Sequence, residues 1–204
     1  MGKDFLLLTT MELNKEYWEN RYTAGEAGWD IGAASTPIKE YIDQLKSKEI
    51  QILIPGCGSA HEADYLVSKG FTNITLLDLA SNITQQLKDR FAAYPNVRVI
   101  TEDFFTHKGQ YDLVIEQTFF CAFNPDLRGK YYPKMHSLLK PKGKIAGVMF
   151  GIEFEKQGPP FGGNANDYKT LMKDYFVVKT MELCYNSIPK RQGNELFVIL
   201  EKKD

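Results

Sequence analysis

Two glycines and a downstream acid are the residues whose spacing first indicates chemistry. Gly56 and Gly58 flank Cys57 in "QILIPGCGSAHEADYL", between a short apolar run and a helical pattern. Because glycine has no side chain, ligand atoms can approach main-chain N–H groups at the helix N-terminus. Asp78 ends the next apolar run, 22 positions after Gly56, where a carboxylate can accept both hydroxyl protons of a ribose. This unit predicts a site for an adenosine-type cofactor, with Gly56, Cys57, Gly58 and Asp78 among the residues that bind it.

Three more residues at the ends of apolar runs extend this prediction. Asp103 could accept from an adenine amino group, and Phe104 could cover one face of the ring. Glu116 ends the fourth run, near the expected reversal of strand order, where a carboxylate can face an ammonium group. The alternatives are a surface acid for Asp103, a core side chain for Phe104 and a salt bridge to a neighbouring lysine for Glu116.

The elements that must position these residues form an alternating pattern of short strands and amphipathic helices. This pattern is typical of a parallel sheet covered on both faces. The predicted strands are 50–54, 73–78, 97–101, 112–116, 144–150, 175–183 and 194–202. The last two flank a turn-rich stretch, so the mostly parallel seven-stranded sheet should finish with an antiparallel strand.

Helix boundaries can also be predicted from the sequence. Thr36 and Pro37 should begin one helix, and Ser81 or Asn82 should cap another. Asn124 followed by a proline should begin a third helix. We expect one domain over residues 1–204, with an N-terminal segment at 1–48 and a core at 49–204.

Composition excludes several classes of protein. The formal net charge is −1, with 25% charged and 43% hydrophobic residues among 204, so no bulk attraction to nucleic acid or to an anionic membrane is expected. The run at 5–8 is too short to span a membrane. Three cysteines without paired spacing indicate a reducing compartment, for which the cytoplasm is the default, and no metal site. The oligomeric state stays open, and a monomer is compatible with the sequence.

Five stretches together resemble the thiopurine S-methyltransferase superfamily, and most closely its halide/thiol methyltransferase branch, the "harmless to ozone layer" proteins. They are "YWENRYTAGEAGWDIG", "ILIPGCGSAHEADYL", "EDFF", "IEQTFFCAFNPDLRGKYYPKMHSLLKPKGKI" and "GPPF". The resemblance runs from about residue 17 to the final strand. It implies a class I, Rossmann-like methyltransferase fold that binds S-adenosyl-L-methionine over the carboxyl edge of the sheet.

In this family the segment before the first strand folds over the cofactor through three spaced aromatic residues. The matching positions are Trp18, Tyr22 and Trp29, with Tyr22 where the family usually has tryptophan. Trp18 and Tyr22 are four residues apart, hence on one helix face, and aromatic faces stabilise a sulfonium through cation–π attraction. Buried core aromatics are the alternative that composition alone would favour.

A small soft nucleophile is the expected methyl acceptor: a thiol, sulfide, thiocyanate, a halide or a thiopurine-like compound. Methyl transfer from a sulfonium needs positioning and a dry pocket more than an acid or a base, so we assign no catalytic acid or base. The residues expected to bind the acceptor are Phe119, Phe120, Phe154, Phe161 and Arg191. Core packing is the alternative for each phenylalanine, and a solvated hairpin residue is the alternative for the arginine.

Three other functions compete with this one. A nucleotide-dependent oxidoreductase would use the same loop, but the third glycine of the dinucleotide fingerprint is replaced by His61. A nucleic-acid base methyltransferase would carry its proline motif directly after the fourth strand, where this chain has "EQTFFC". A regulatory module that binds the cofactor without catalysis would retain cofactor affinity and show no turnover.

Overall fold

The computed structural model describes residues 12–156 and 158–204, which contain seven strands, six α-helices and two short 3₁₀ turns. The run at 5–8 and the first eleven residues of the predicted N-terminal segment lie outside the described residues. The helices are α1 (Lys15–Thr23), α2 (Thr36–Asp43), α3 (His61–Ser68), α4 (Ser81–Arg90), α5 (Arg128–Leu138) and α6 (Ala165–Met172). The strands are β1 (Ile52–Pro55), β2 (Ile74–Asp78), β3 (Val97–Thr101), β4 (Tyr111–Gln117), β5 (Leu139–Phe150), β6 (Phe176–Leu183) and β7 (Glu195–Lys202).

The strands form one sheet in the order β3-β2-β1-β4-β5-β7-β6. The pairs from β3 to β5 are parallel, whereas β7 is antiparallel to both of its neighbours. The predicted fold class is therefore confirmed, including the antiparallel final strand. None of the described helices is long and apolar enough to cross a lipid bilayer.

Alternate residues of the central strands face two separate cores, because successive side chains of a strand point to opposite faces. Leu53 of β1 packs with residues of α5 and α6, such as Tyr131 and Met172. Its neighbours Ile52 and Ile54 pack with residues of α2, α3 and α4 on the other face. This burial on both sides explains why β1 is apolar throughout and why β2 is mostly apolar.

Sheet topology fixes the place of the site. The chain leaves β1 toward β2 on one side, and β4 lies on the other side of β1. In open α/β sheets a crevice forms at such a reversal, outside the carboxyl ends of the strands. The glycine loop follows β1 and the phenylalanine-rich loop follows β4, so both loops border this crevice.

The predicted cap of α4 is wrong, and a distant side chain takes its place. The N-cap residue is Ala80, which offers no side-chain hydrogen bond. Glu19 of α1 instead accepts hydrogen bonds from the backbone N–H of Ser81, at 2.9 Å, and from its hydroxyl. A carboxylate at a helix N-terminus is favourable to the helix dipole, so this contact also holds α1 against α4.

The predicted cap at Asn124 needs a smaller correction. Its side chain caps the short 3₁₀ turn Pro125–Leu127, accepting from the Asp126 N–H at 3.1 Å. Helix α5 then begins at Arg128, four residues later than the predicted cap.

Candidate active site

A cavity of about 500 Å³ lies at the carboxyl edge of the sheet. Its wall combines residues of α1, the ends of β1, β2 and β3, and the loop that follows β4. Cavities of this size are typical of sites for small molecules and cofactors. We refer to it below as the large cavity.

Gly56 is part of the wall of this cavity and could not carry a side chain there. Its φ of +56° lies in the left-handed region, and a Cβ atom would stand 2.1 Å from Cδ2 of Phe119. A ring of this same chain therefore approaches Gly56 closely, and the predicted approach of a ligand to the glycine loop stays a prediction. Gly58 also has a positive φ, +48°, and a Cβ there would lie 3.2 Å from the Tyr22 hydroxyl.

Asp78 lies at the end of β2 in the wall of the large cavity, and its carboxylate binds backbone N–H groups of the loops after β1 and β2. Its Oδ2 accepts from the Gly58 N–H at 3.0 Å and its Oδ1 from the Ala80 N–H at 2.9 Å. Burial raises the pKa of Asp78, against the hydrogen bonds from those N–H groups, which lower it. Each carboxylate oxygen can accept a further hydrogen bond, so two ribose hydroxyls could still be bound.

The pair predicted to bind adenine lies at the same cavity. Asp103 and Phe104 both contribute to its wall. Asp103 is exposed and accepts from the Phe105 N–H at 2.8 Å. Phe104 is 4% exposed and also belongs to the hydrophobic core beneath the cavity. It can therefore be a core side chain and a wall residue of the cavity at the same time.

Carboxylates dominate the charge of the large cavity. Asp78, Glu102, Asp103 and Asp126 contribute to its wall, and no lysine, arginine or histidine of the described residues does so. The Glu102 carboxylate is engaged by His107, whose Nδ1 lies 2.9 Å away. An acidic cavity of this kind attracts a cation and repels an anion.

Two of the three aromatic residues predicted to cover the cofactor belong to the wall of the large cavity. Trp18 and Tyr22 project from α1 into it. Trp29 does not: it packs edge-on against both rings, with centroid distances of 5.6 Å to each. Its indole nitrogen lies 3.8 Å from where a Cβ of Gly58 would be, which places it behind the glycine loop.

A second, small cavity of about 50 Å³ opens on that other side of the loop. Trp29, Cys57 and Gly58 belong to its wall, together with Gln117 and Thr118 from the end of β4. Gly56 is the only described residue that contributes to both cavities. The two cavities therefore meet at Gly56, and we call this point the junction.

Asp30 is a residue of the small cavity that the sequence analysis did not select. Its carboxylate accepts hydrogen bonds from the Ser59 hydroxyl and from the Gly32 N–H, the latter at 2.7 Å. The same carboxylate lies 2.8 Å from His61 Nε2. Burial would raise the pKa of Asp30, but these hydrogen bonds outweigh burial and lower it. The signal available in the sequence was its position directly after Trp29 in "GWDIG".

Glu116 lies at the end of β4 as predicted but faces neither cavity. Its side chain is fully buried. Oε1 accepts from the N–H groups of Phe119 and Phe120, both at 2.9 Å, and Oε2 accepts from the Tyr131 hydroxyl at 2.6 Å. Burial raises the pKa of Glu116 to about 7. The structure thus differs from both sequence interpretations, since the carboxylate meets neither an open site nor a lysine.

Among the residues predicted to bind the acceptor, only Phe119 reaches the large cavity. Its ring packs against those of Phe104 and Phe123, with centroids 5.1 and 4.6 Å away. Phe120 is 1% exposed and packs between tyrosines of α5 and α6. Its side chain turns away from the cavity because the 3₁₀ turn Phe120–Ala122 directs it into the core.

The other three predicted acceptor residues lie elsewhere in the described chain. Phe154 packs on Phe150 at 4.9 Å, and the Phe161 N–H donates to the Cys121 carbonyl at 2.7 Å. Arg191 is not solvated: its Nη2 donates to the Trp29 carbonyl at 2.8 Å, and Nη1 lies 3.5 Å from the Glu195 carboxylate. Arg191 therefore joins the final hairpin to the N-terminal segment.

Several known proteins are similar to this chain in sequence. The sequence profile of the family described as "Thiopurine S-methyltransferase (TPMT)" matches residues 13–201. A probable thiol methyltransferase 2 of Arabidopsis thaliana is 29% identical over 160 residues, which cover 76% of this chain and 70% of that protein. Thiocyanate methyltransferase 1 of Brassica oleracea is 27% identical over 184 residues, covering 87% of this chain and 81% of that protein.

A solved structure shares the fold at low sequence identity. It is the Burkholderia thailandensis 1,6-didemethyltoxoflavin-N1-methyltransferase, with bound 1,6-didemethyltoxoflavin and S-adenosylhomocysteine. The TM-score is 0.76 at 19% identity, over 93% of this chain and 87% of that one.

Proposed function

The chain belongs to the thiopurine S-methyltransferase family, and on that premise we propose that it transfers a methyl group from S-adenosyl-L-methionine to a small soft nucleophile. The observation that carries the proposal is the acidic cavity at the switch point of the sheet, reached by Gly56, Asp78 and two aromatic residues of α1. The donor is a cation, and this cavity offers it carboxylates and aromatic faces.

The residues of the two cavities fit the parts of this donor. In the large cavity Asp78 would accept from the ribose hydroxyls, while Asp103 and Phe104 would meet the adenine. The small cavity would take the amino-acid end, and Asp30 and Glu62 are the carboxylates among the described residues of its wall. Because the sulfonium lies between adenosine and the amino acid, we propose that it is bound at the junction, beside Phe119.

When bound, the donor supplies an electrophilic methyl group on a positively charged sulfur. Residues of this chain then orient the reactants and exclude water, which an in-line displacement needs more than proton transfer. Trp18 and Tyr22 would stabilise the sulfonium by cation–π attraction. The rings of Phe119 and Phe123 give the acceptor side an apolar surface that weakens the hydration of a soft anion.

Sulfur compounds are the acceptor class that we favour. The relatives named above are a probable thiol methyltransferase and a thiocyanate methyltransferase, and the aromatic wall around Phe119 suits a polarisable nucleophile. Because all three cysteines are unpaired and buried, we also propose that the enzyme acts in a reducing compartment, the cytoplasm.

The rival functions require other features at the same place. A nicotinamide dinucleotide needs a third loop glycine that brings its pyrophosphate onto the helix N-terminus, and His61 stands at that position. A regulatory module without catalysis would bind the donor and its demethylated product but turn over no acceptor.

Calorimetry and an acceptor panel test the proposal together. We expect S-adenosylhomocysteine to bind and NAD not to bind. Methyl-labelled donor is then offered with thiocyanate, sulfide, small thiols, thiopurines, iodide and arsenite, and specificity constants are ranked. Comparable binding of NAD would refute the cofactor assignment, and tight binding without turnover of any acceptor would favour the regulatory module.

A further inference from the structure

Glu116 is a buried carboxylate that the proposed mechanism leaves without a task. It is fully buried at the end of β4, and its backbone is fixed by the neighbouring strand. A Cβ on Gly147 of β5 would stand 1.9 Å from the Glu116 carbonyl oxygen. Strands β4 and β5 are therefore so close at this point that only glycine fits at position 147. The starting point of the Glu116 side chain is therefore set by the sheet.

From that fixed point Glu116 holds the loop that carries Phe119. Its Oε1 accepts from two consecutive N–H groups, those of Phe119 and Phe120. The residue before them, Thr118, has a φ of +58°, a conformation that costs a β-branched residue free energy and persists only where the surroundings compensate it. Two hydrogen bonds to one carboxylate supply such compensation.

The loop places the Phe119 ring at the junction. Three ring atoms lie within 2.9 Å of the position that a Cβ of Gly56 would occupy, and Gly56 is where the two cavities meet. A change in the backbone at Phe119 would therefore move the ring at the point where, under the proposed function, the methyl group is transferred.

We propose that Glu116 is a positioning residue that fixes the Phe119 ring at the junction of the two cavities and so sets the approach of donor and acceptor without touching either. This inference rests on the proposed function for its effect on catalysis. Its structural part, the hold of Glu116 on the loop, can be tested by itself.

The other titratable groups around Glu116 stay neutral. Tyr131 and Tyr132 face it from α5, and Cys121 faces it from the 3₁₀ turn. Burial raises the pKa of all three above their usual values. Glu116 is thus the group of this cluster that can change charge near neutral pH, consistent with its raised pKa of about 7.

Three variants separate positioning from packing. Glu116→Ala frees both N–H groups, whereas Glu116→Gln keeps an oxygen that can accept from them. The matched control Tyr131→Phe removes a hydrogen bond to the same carboxylate but leaves both N–H groups bound. We expect kcat to fall roughly 10- to 100-fold in Glu116→Ala, less in Glu116→Gln, and to stay near the wild-type value in Tyr131→Phe. The Kd of S-adenosylhomocysteine should change less than kcat does, since Asp78 keeps its own hydrogen bonds to the Gly58 and Ala80 N–H groups.

A direct readout of the loop accompanies the kinetics. In Glu116→Ala the amide proton shifts of Phe119 and Phe120 should both change, because both N–H groups lose their acceptor, and in Tyr131→Phe they should stay near their wild-type values. A folded Glu116→Ala with wild-type kcat, or with wild-type amide shifts at Phe119 and Phe120, would overturn the inference. Absence of methyl transfer by the wild-type protein would instead refute the proposed function, and the amide shifts of Glu116→Ala would then decide the structural part.

Discussion

Replacing Asp78 with alanine should change both the free energy of unfolding and the affinity for the cofactor. The carboxylate is 7% exposed and holds the Gly58 and Ala80 N–H groups. Leaving a buried donor unsatisfied costs about 1 to 3 kcal/mol. Water from the adjacent cavity can reach both donors, so we expect the free energy of unfolding to fall by about 2 to 3 kcal/mol in total.

The same substitution removes the acceptor of two ribose hydroxyls. Hydrogen bonds to a charged group are worth about 1.5 to 3 kcal/mol, which corresponds to a roughly 10- to 150-fold weaker Kd for S-adenosylhomocysteine. Urea unfolding followed by circular dichroism gives the stability, and calorimetry under conditions where the variant is folded gives the Kd.

Asp103→Ala is the control for this experiment. That residue is also an aspartate of the large cavity, but it is exposed and holds a single N–H group, that of Phe105. We expect it to cost less than about 1 kcal/mol of stability. If Asp78→Ala lost stability but kept the wild-type Kd, Asp78 would be a structural residue and the ribose assignment would be wrong.

Three further substitutions probe the surroundings. Gly56→Ala should lower the free energy of unfolding by about 1 to 3 kcal/mol more than Gly25→Ala in thermal denaturation, because both have a positive φ but only at Gly56 would the new Cβ overlap a ring; equal losses would contradict this. Arg191→Ala should destabilise by about 3 kcal/mol, since it frees a buried carboxylate and the Trp29 carbonyl, and an unchanged tryptophan emission spectrum would argue against the link to the N-terminal segment. Burial raises the pKa of Glu116 from 4.5 to about 7. The free energy of unfolding of the wild-type protein should therefore fall by about 3 kcal/mol between about pH 4.5 and pH 7, relative to that of Glu116→Gln. Parallel pH profiles of the two proteins would refute this prediction.

The direction of this last effect follows from proton linkage. Between the two pKa values the folded protein holds a proton at Glu116 that the unfolded chain has released, so raising the pH favours unfolding. The stabilising contribution is complete below about pH 4.5 and is lost as the pH rises through about 7. Glutamine has no such proton, which makes it the control for the rest of the chain.

The fold was predictable because the first two strands are short and buried on both faces. Such strands must be mostly apolar, as β1 and β2 are, and the alternation of strands with helices leaves few possible topologies. The glycine loop and Asp78 were predictable for a related reason, since local spacing fixes their positions at the ends of successive parallel strands.

Contacts between distant parts of the chain were not predictable from the same patterns. Glu19 replaces the expected cap of α4 from 62 residues away, and Arg191 binds the Trp29 carbonyl across 162 residues. Glu116 was expected at an open site because it ends a strand, yet the loop after it folds back and covers the carboxylate. Side-chain direction beyond the end of a strand depends on such loops, and spacing in the sequence does not determine it.

Competition between a thiol and the matching alcohol tests the central claim most directly. Methyl-labelled S-adenosylmethionine is mixed in a single turnover with excess enzyme, 2-mercaptoethanol and ethylene glycol, and the methylated products are separated. We predict that the label appears on sulfur, and that Asp78→Ala slows its appearance at subsaturating donor. Label on oxygen, or no transfer to either acceptor or to thiocyanate while the donor is bound, would contradict the assignment of this cavity to methylation of soft nucleophiles.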